Sequence, residues 1–298
     1  MAPELTGRGL GPGKLTRLRR MLYCHGAGDG TALLLPYDHG LEHGPRDFAA
    51  QAESSDAGYV LDLAVAGGFN AVALHIGHAR KSYAAFAGRV SLVVKLNGKT
   101  EIPPDDEPLS PLNSTVEEAV SLGADAVGYT LYVGSPRQSE DFAALRTVRQ
   151  DCERFGMPLI VWSYPRGSAI ARKGGRDSFY AIDYAARVAA ELGADVVKVN
   201  WPSQAPATEV PPAYRRPFSA SEQLAAIVRS AGRTLVLLSG GERADADKLL
   251  DRAQTAVKAG VLGLIFGRNF LERDRSEALA LAEKLHHVLS DPIIGHAG

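Results

Sequence analysis

Cysteine is almost missing from this 298-residue chain. Cys24 and Cys152 are the only two, and no C-x-x-C pair occurs. Neither a disulfide framework nor a thiolate zinc site is indicated. An excess of one charge is missing too: 33 Lys and Arg against 34 Asp and Glu leave a formal net charge of −1. With no long basic run, no nucleic acid is implied as a partner. No stretch approaches the roughly 20 apolar residues of a membrane helix, so no membrane contact is expected. The N-terminus, with Gly7, Gly9, Gly11 and Gly13 among basic residues, lacks the apolar centre of a signal peptide. A cytoplasmic location is the expectation.

What is present is ordinary for a globular protein: 45% hydrophobic and 22% charged residues. The length suits two small domains or one large α/β barrel, which commonly runs to about 250 residues or more. Residues 1–13 read as a flexible arm, and Leu15, Leu18 and Leu22 give a short lead-in helix over 14–21. Eight brief apolar runs follow, at 32–37, 71–76, 91–96, 126–131, 159–164, 196–201, 235–239 and 263–267. Segments of helical period separate them, at 59–66, 115–122, 139–155, 178–192, 219–231 and 244–259, and a last one spans 275–289. Only the link 77–90 is short, with a weak helix.

Apolar strands alternating with helices imply βαβ units and a parallel sheet buried on both faces. The helix-to-strand junctions resemble one another: Ala66-Gly-Gly-Phe, Leu122-Gly-Ala-Asp, Leu192-Gly-Ala-Asp and Ala259-Gly-Val-Leu. Glycine ends a helix cheaply because it accepts the left-handed conformation. Eight such units predict a (β/α)₈ TIM barrel, a single domain over 14–298. A doubly wound sheet is the alternative, but no G-x-G-x-x-G follows the first strand. The proline-rich stretch 202–217 follows strand six and is expected to be a loop of the active face, not a linker.

In such a barrel the site lies at the C-terminal ends of the strands. Those ends carry Tyr37-Asp38-His39-Gly40, Lys95-Leu-Asn97-Gly98, Trp162-Ser-Tyr164-Pro-Arg166, Lys198-Val-Asn200, Ser239-Gly240-Gly241 and Gly267-Arg268-Asn269. The last two suit a phosphate site, with bare backbone N–H groups at glycine turns and an arginine fork; tight turns alone are the plainer reading of each. Lys198 sits inside an apolar strand, where an unpaired ammonium costs several kcal/mol. It must pair, snorkel or serve as a nucleophile of lowered pKa. Parity puts Trp162 with Tyr164, and Val196 with Lys198 and Asn200; adjacent strands then bring Tyr164 and Lys198 to one substrate.

A lysine, a phenol and the carboxylate of Asp38 around a phosphate pocket suit Schiff-base chemistry, in which an iminium stabilises the neighbouring carbanion. Burial and a nearby cation, Lys95 or Arg166, would lower the lysine pKa. Spacing does not choose between Lys95 and Lys198 as nucleophile. Tyr164 can equally be a core tyrosine, and Asp38 and Asn97 can be plain turn residues. Residues 101–107 read as a solvated loop. His39, His43, His75 and His78 raise a metal-dependent hydrolase as a rival, although Gly40 and Gly44 argue against a helix aligning the first pair and His-Glu-x-x-His is absent. A non-catalytic sugar-phosphate binder is the remaining reading.

Taken together, seven stretches resemble the archaeal-type class I fructose-bisphosphate aldolases, relatives of deoxyribose-phosphate aldolase. They are Tyr37-Asp-His-Gly-Leu-Glu-His-Gly-Pro-Arg-Asp-Phe48, Val94-Lys-Leu-Asn-Gly-Lys-Thr100, Ala124-Asp-Ala-Val-Gly-Tyr-Thr-Leu-Tyr-Val-Gly-Ser135, Val161-Trp-Ser-Tyr-Pro-Arg-Gly167, Gly193-Ala-Asp-Val-Val-Lys198, Leu238-Ser-Gly-Gly241 and Gly267-Arg-Asn269. The resemblance implies a lyase without metal or cofactor, cleaving fructose 1,6-bisphosphate to dihydroxyacetone phosphate and glyceraldehyde 3-phosphate. It makes Lys198 the Schiff-base lysine and Tyr164 the proton donor, with Asp38 assisting proton transfer or orientation. Asp38 and His39 would line the substrate site, Trp162 and Arg166 would contact the sugar phosphate, and Ser239, Gly240, Gly241, Gly267 and Arg268 would hold one phosphate. It also implies a homo-oligomer, commonly a decamer. The family often has a second lysine where this chain has Asn200, and its loop after strand six is shorter. A transaldolase-like or thiolase relative on another phosphorylated ketose or diketone is the alternative.

Overall fold

The computed structural model describes residues 4–204 and 209–291. Eight strands are present: Ala32–Tyr37 (β1), Ala71–His75 (β2), Ser91–Lys95 (β3), Ala126–Val133 (β4), Leu159–Pro165 (β5), Val196–Val199 (β6), Leu235–Ser239 (β7) and Gly263–Ile265 (β8). They are all parallel, each pairs with the next, and β8 returns to β1 to close a (β/α)₈ barrel. Crossover helices include Ala57–Ala66, Gln138–Phe155, Phe179–Glu191, Ala220–Ala231 and Arg275–Ser290. The weak link after β2 folds as the helix Ile76–Ser82 and one 3₁₀ turn, Tyr83–Phe86. Glycines with positive φ end the helices at the recurrent junctions, Gly68, Gly123, Gly193 and Gly260, as a left-handed stop requires. Capping boxes start two helices, Thr115 with Glu118 and Ser219 with Glu222.

Three strand ends differ from the sequence pattern by two residues, and three others by one. β6 stops at Val199, where its register with β7 ends, and Asn200 turns away to donate to Asp177 at 2.9 Å. Asn200 and Trp201 therefore belong to the loop. β8 stops at Ile265, and Gly267 opens a single-turn helix, Arg268–Leu271, at the mouth. β4 runs on to Val133, paired with β5 through Pro165. Of the stretch 202–217, residues 205–208 lie outside the described residues; a 3₁₀ turn, Pro212–Tyr214, follows them.

Two apolar layers result. One lies between strands and helices, and the other fills the barrel with Leu34, Val93, Ile160, Val196 and Leu237. The N-terminal segment closes the bottom of the inner layer. Its helix begins at Pro12, two residues earlier than the spacing predicts, and Leu18, Met21 and Leu22 join the inner core. Leu5, in the expected arm, is also buried there. Both Gly-Ala-Asp aspartates face this segment. Asp195 meets the Lys14 ammonium at 2.9 Å and accepts from the Leu159 N–H at 2.8 Å. Asp125 pairs with Arg20 and accepts from Ser91 Oγ at 2.6 Å. The bottom is thereby sealed, and the reactive side chains collect at the opposite end.

Candidate active site

Inward-pointing residues of β3, β5 and β6 meet above the inner core. Lys198 stands opposite Trp162 in the β5–β6 register. Its Nζ lies 5.2 Å from the Trp162 ring centre and 5.6 Å from that of Tyr164. Lys95 approaches the same ring, with its Nζ at 5.0 Å. Gly128 makes this stack possible: a Cβ there would come within 2.7 Å of Trp162 and 3.0 Å of Lys95. Trp162 is fully buried and forms the floor beneath both ammonium groups, below the cavity wall.

The two lysines differ in their carboxylate neighbours. Lys95 donates to Glu42 at 2.7 Å and to Asp38 at 3.3 Å. Burial alone would lower its pKa, but Glu42 and Asp38 more than reverse this and push it up. Lys95 is thus a fixed cation. Lys198, only 6% exposed, has no hydrogen-bonded acid among the described residues. Burial lowers its pKa, Asp38 and Glu42 pull it back, and Lys95 and Arg268 push it down again, to about 8. At pH 7 roughly a tenth of its amine is then neutral, against well under a thousandth for a lysine of ordinary pKa, and the neutral form is what a nucleophile requires.

Asp38 shows the complement. Burial would raise its pKa, yet Lys95 and Lys198 hold its carboxyl far below the usual range. Tyr164 is driven strongly upward by burial, then by Glu42 and Asp38, so its phenol keeps its proton. Burial pushes His39 down to about 4, and its Nδ1 has no partner among the described residues. An amine of lowered basicity, a retained phenol and an ionised carboxylate line one cavity of about 750 Å³ at the strand ends.

Opposite them, Ser239, Gly240 and Gly241 from the loop after β7 border the same cavity, as do Gly267 and Arg268 after β8. Asn269 ties the two turns together, accepting from the Ala244 N–H at 2.9 Å and donating to the Glu242 carbonyl at 3.3 Å. Side chains would spoil this cradle. A Cβ on Gly240 would lie 2.6 Å from Asn269 Nδ2, and one on Gly267 only 2.1 Å from His39 Cε1. Gly267→Ala is expected to displace His39 and raise KM for a phosphorylated substrate roughly tenfold, a modest loss of positioning. Steady-state kinetics check this, and an unchanged KM counts against the cradle.

The four histidines do not converge. His43 pairs with Asp47 at 2.7 Å, His75 contacts Asn113 at 3.3 Å, and His78 packs on Tyr37. Among the described residues no three His, Cys, Asp or Glu groups gather as a metal site. Asn97 is a tie, accepting from the Thr130 N–H and donating to the carbonyls of Thr130 and Ser110.

Several cavity residues escape sequence reasoning. Glu42 sits one helical turn beyond Asp38 on the helix His39–Glu42, a spacing that hints at a shared target. Lys99, Asp105 and Arg243 also border the cavity from loops, where no periodicity marks them, and Lys248 borders it from the helix Ala246–Lys258.

A barrel lysine of lowered basicity, set beside a phenol, a carboxylate and a phosphate cradle, defines an aldolase of the Schiff-base kind. Comparison with known proteins agrees. The family model described as DeoC/LacD family aldolase matches residues 32–273. A class 1 fructose-bisphosphate aldolase of Thermoproteus tenax is 40% identical over 257 residues, 86% of this chain and 88% of that protein. The Halobacterium salinarum counterpart is 37% identical over 250 residues, covering 84% and 88%. An archaeal fructose-1,6-bisphosphate aldolase, solved with its catalytic lysine bound to the carbinolamine intermediate, superposes with a TM-score of 0.78 at 37% identity, covering 91% of this chain and 99% of that one. The chain belongs to the DeoC/LacD aldolase family and, within it, to the class I fructose-bisphosphate aldolases.

Proposed function

We propose that the protein reversibly cleaves fructose 1,6-bisphosphate through a Schiff base on Lys198. The carrying observation is the contrast between two inward lysines on one tryptophan: Lys95 is locked by two carboxylates, while Lys198 is left with a pKa near 8. The Lys198 amine adds to the C2 carbonyl, water leaves, and an iminium forms. Breaking the C3–C4 bond moves its electron pair into a neutral enamine, and the C4 hydroxyl proton passes to the Glu42 carboxylate as C4 becomes the aldehyde. Tyr164 then protonates C3 and recovers a proton from Glu42, and hydrolysis of the iminium releases dihydroxyacetone phosphate. Asp38 faces the cationic iminium, Arg166 holds the outer part of the sugar, and the Ser239–Gly241 and Gly267–Arg268 turns hold the C1 phosphate.

Borohydride reduction with substrate, followed by peptide mass spectrometry, tests the assignment. A three-carbon phosphate adduct is expected on Lys198, undiminished by chelator, with a trapping rate that falls as pH drops below about 8 because the ammonium cannot attack. An adduct on Lys95, or none, contradicts it. We further propose a cytoplasmic homo-oligomer, a decamer on the family's pattern. Sedimentation at the mass of ten chains supports this assembly, and a monomer overturns it.

A further inference from the structure

The cavity has a second cationic pole that is already occupied by the protein's own acid. Lys99 follows β3 and Arg166 follows β5, while Ser239 ends β7 and Gly267 follows β8. In a closed barrel of eight strands in sequential order, β3 lies across from β7, so the Lys99 loop faces the phosphate cradle across the mouth. Lys198 and Tyr164, from β6 and β5, stand between the two poles. Both Lys99 and Arg166 are largely buried, with side chains 14% and 16% exposed. Burial of two cations side by side calls for an anion.

That anion is Asp105. Its Oδ1 lies 2.8 Å from Lys99 Nζ and its Oδ2 lies 3.4 Å from Arg166 Nε, one carboxylate bridging two cations as a phosphate does. Its carrier, the loop between Gly98 and Pro111, is anchored at its base by the Gly98 N–H to Pro111 carbonyl bond and the Asn97–Leu112 bridge. At its near side it is held by the Arg46–Glu101 pair at 2.7 Å. Asp105 itself is 45% exposed, so it can swing out while the anchors stay in place.

We propose that Asp105 is a specificity-determining residue that stands in for the second phosphate of the substrate, and that a bisphosphate engages Lys99 and Arg166 by displacing it. This deepens the proposed aldolase activity and rests on it. A phosphate dianion carries more charge than a carboxylate and more acceptor oxygens for the Arg166 fork, so the exchange favours a bisphosphate. A monophosphorylated ketose leaves Asp105 in place and gains nothing from the pole. The loop carboxylate therefore sets the affinity for the second phosphate and keeps the cations neutralised in its absence.

The test compares kcat/KM for fructose 1,6-bisphosphate and fructose 1-phosphate in Asp105→Asn and Lys99→Met. Asp105→Asn removes the competitor, and is expected to raise kcat/KM for the bisphosphate about threefold to fivefold, the worth of a partly exposed ion pair. Fructose 1-phosphate should change little. Lys99→Met should lower the bisphosphate value while sparing fructose 1-phosphate. Both substrates moving together in Asp105→Asn, or a fall for the bisphosphate alone, overturns the proposal and leaves Asp105 a loop-ordering residue. Borohydride trapping on Lys198 in each variant separates the two readings: with adduct intact and selectivity unchanged, only the role of Asp105 fails. A wild-type enzyme that forms no adduct removes the activity on which this role rests.

Discussion

Lys198→Met is expected to abolish turnover, by about 10⁴-fold or more, and at the same time to stabilise the fold. The first effect follows from chemistry, since Lys198 is the amine that carries the covalent intermediate. Lys95 does not substitute, because Glu42 and Asp38 keep it protonated. The second effect follows from linkage. Lys198 has a pKa of about 8 in the folded chain against an ordinary 10.5. Between these values the unfolded chain binds the extra proton, so stability rises with pH across that window. Below about pH 8 the full cost of the buried lysine is present, on the order of 3 kcal/mol. Methionine fills the same space without a charge. Urea unfolding at pH 7 should show the variant more stable by about 1–3 kcal/mol, with the gain shrinking as pH approaches 10.5. A variant that loses stability at pH 7, or that still reduces onto Lys95, contradicts this.

Tyr164→Phe should separate covalent capture from proton transfer. The phenol lies where its ring meets Lys198 on one side and the Arg166 guanidinium, 5.2 Å from the ring centre, on the other. Its hydroxyl, held protonated by burial and by Glu42 and Asp38, is the donor placed to protonate the enamine carbon. Removing one oxygen leaves the ring packing and the Lys198 environment intact. The borohydride adduct should therefore persist, while kcat falls about 10²–10⁴-fold, the worth of one positioned acid. Rapid-quench measurement of adduct formation alongside steady-state turnover checks the split. Wild-type turnover, or loss of the adduct, would assign the proton to another group.

Both outcomes turn on a distinction between two lysines that share an inner face of the barrel. The linear pattern put Lys95 and Lys198 on equal terms, each an ionisable residue inside an apolar strand. Family resemblance pointed to Lys198 without a physical reason. The reason lies in Glu42. It sits on the one-turn helix after β1 and reaches Lys95 at 2.7 Å, and among the described residues Lys198 has no bonded acid. No periodicity marks that contact, since it depends on how a loop of one strand leans over the third.

What the sequence by itself determined is the part governed by local rules. Eight apolar runs between amphipathic helices, with glycines at the junctions, set the parallel barrel and its order, because period and turn chemistry act over a few residues. The same rules placed Lys198, Tyr164 and the two glycine turns at the strand ends. Tertiary structure alone decided where the strands stop, that Asn200 leaves β6 for Asp177, and that Trp162 is a floor. It also decided that Asp105, on a stretch that reads as solvated loop, faces Lys99 and Arg166. Those facts depend on charges and bulk brought together from distant parts of the chain, and their energies exist only once the barrel has closed.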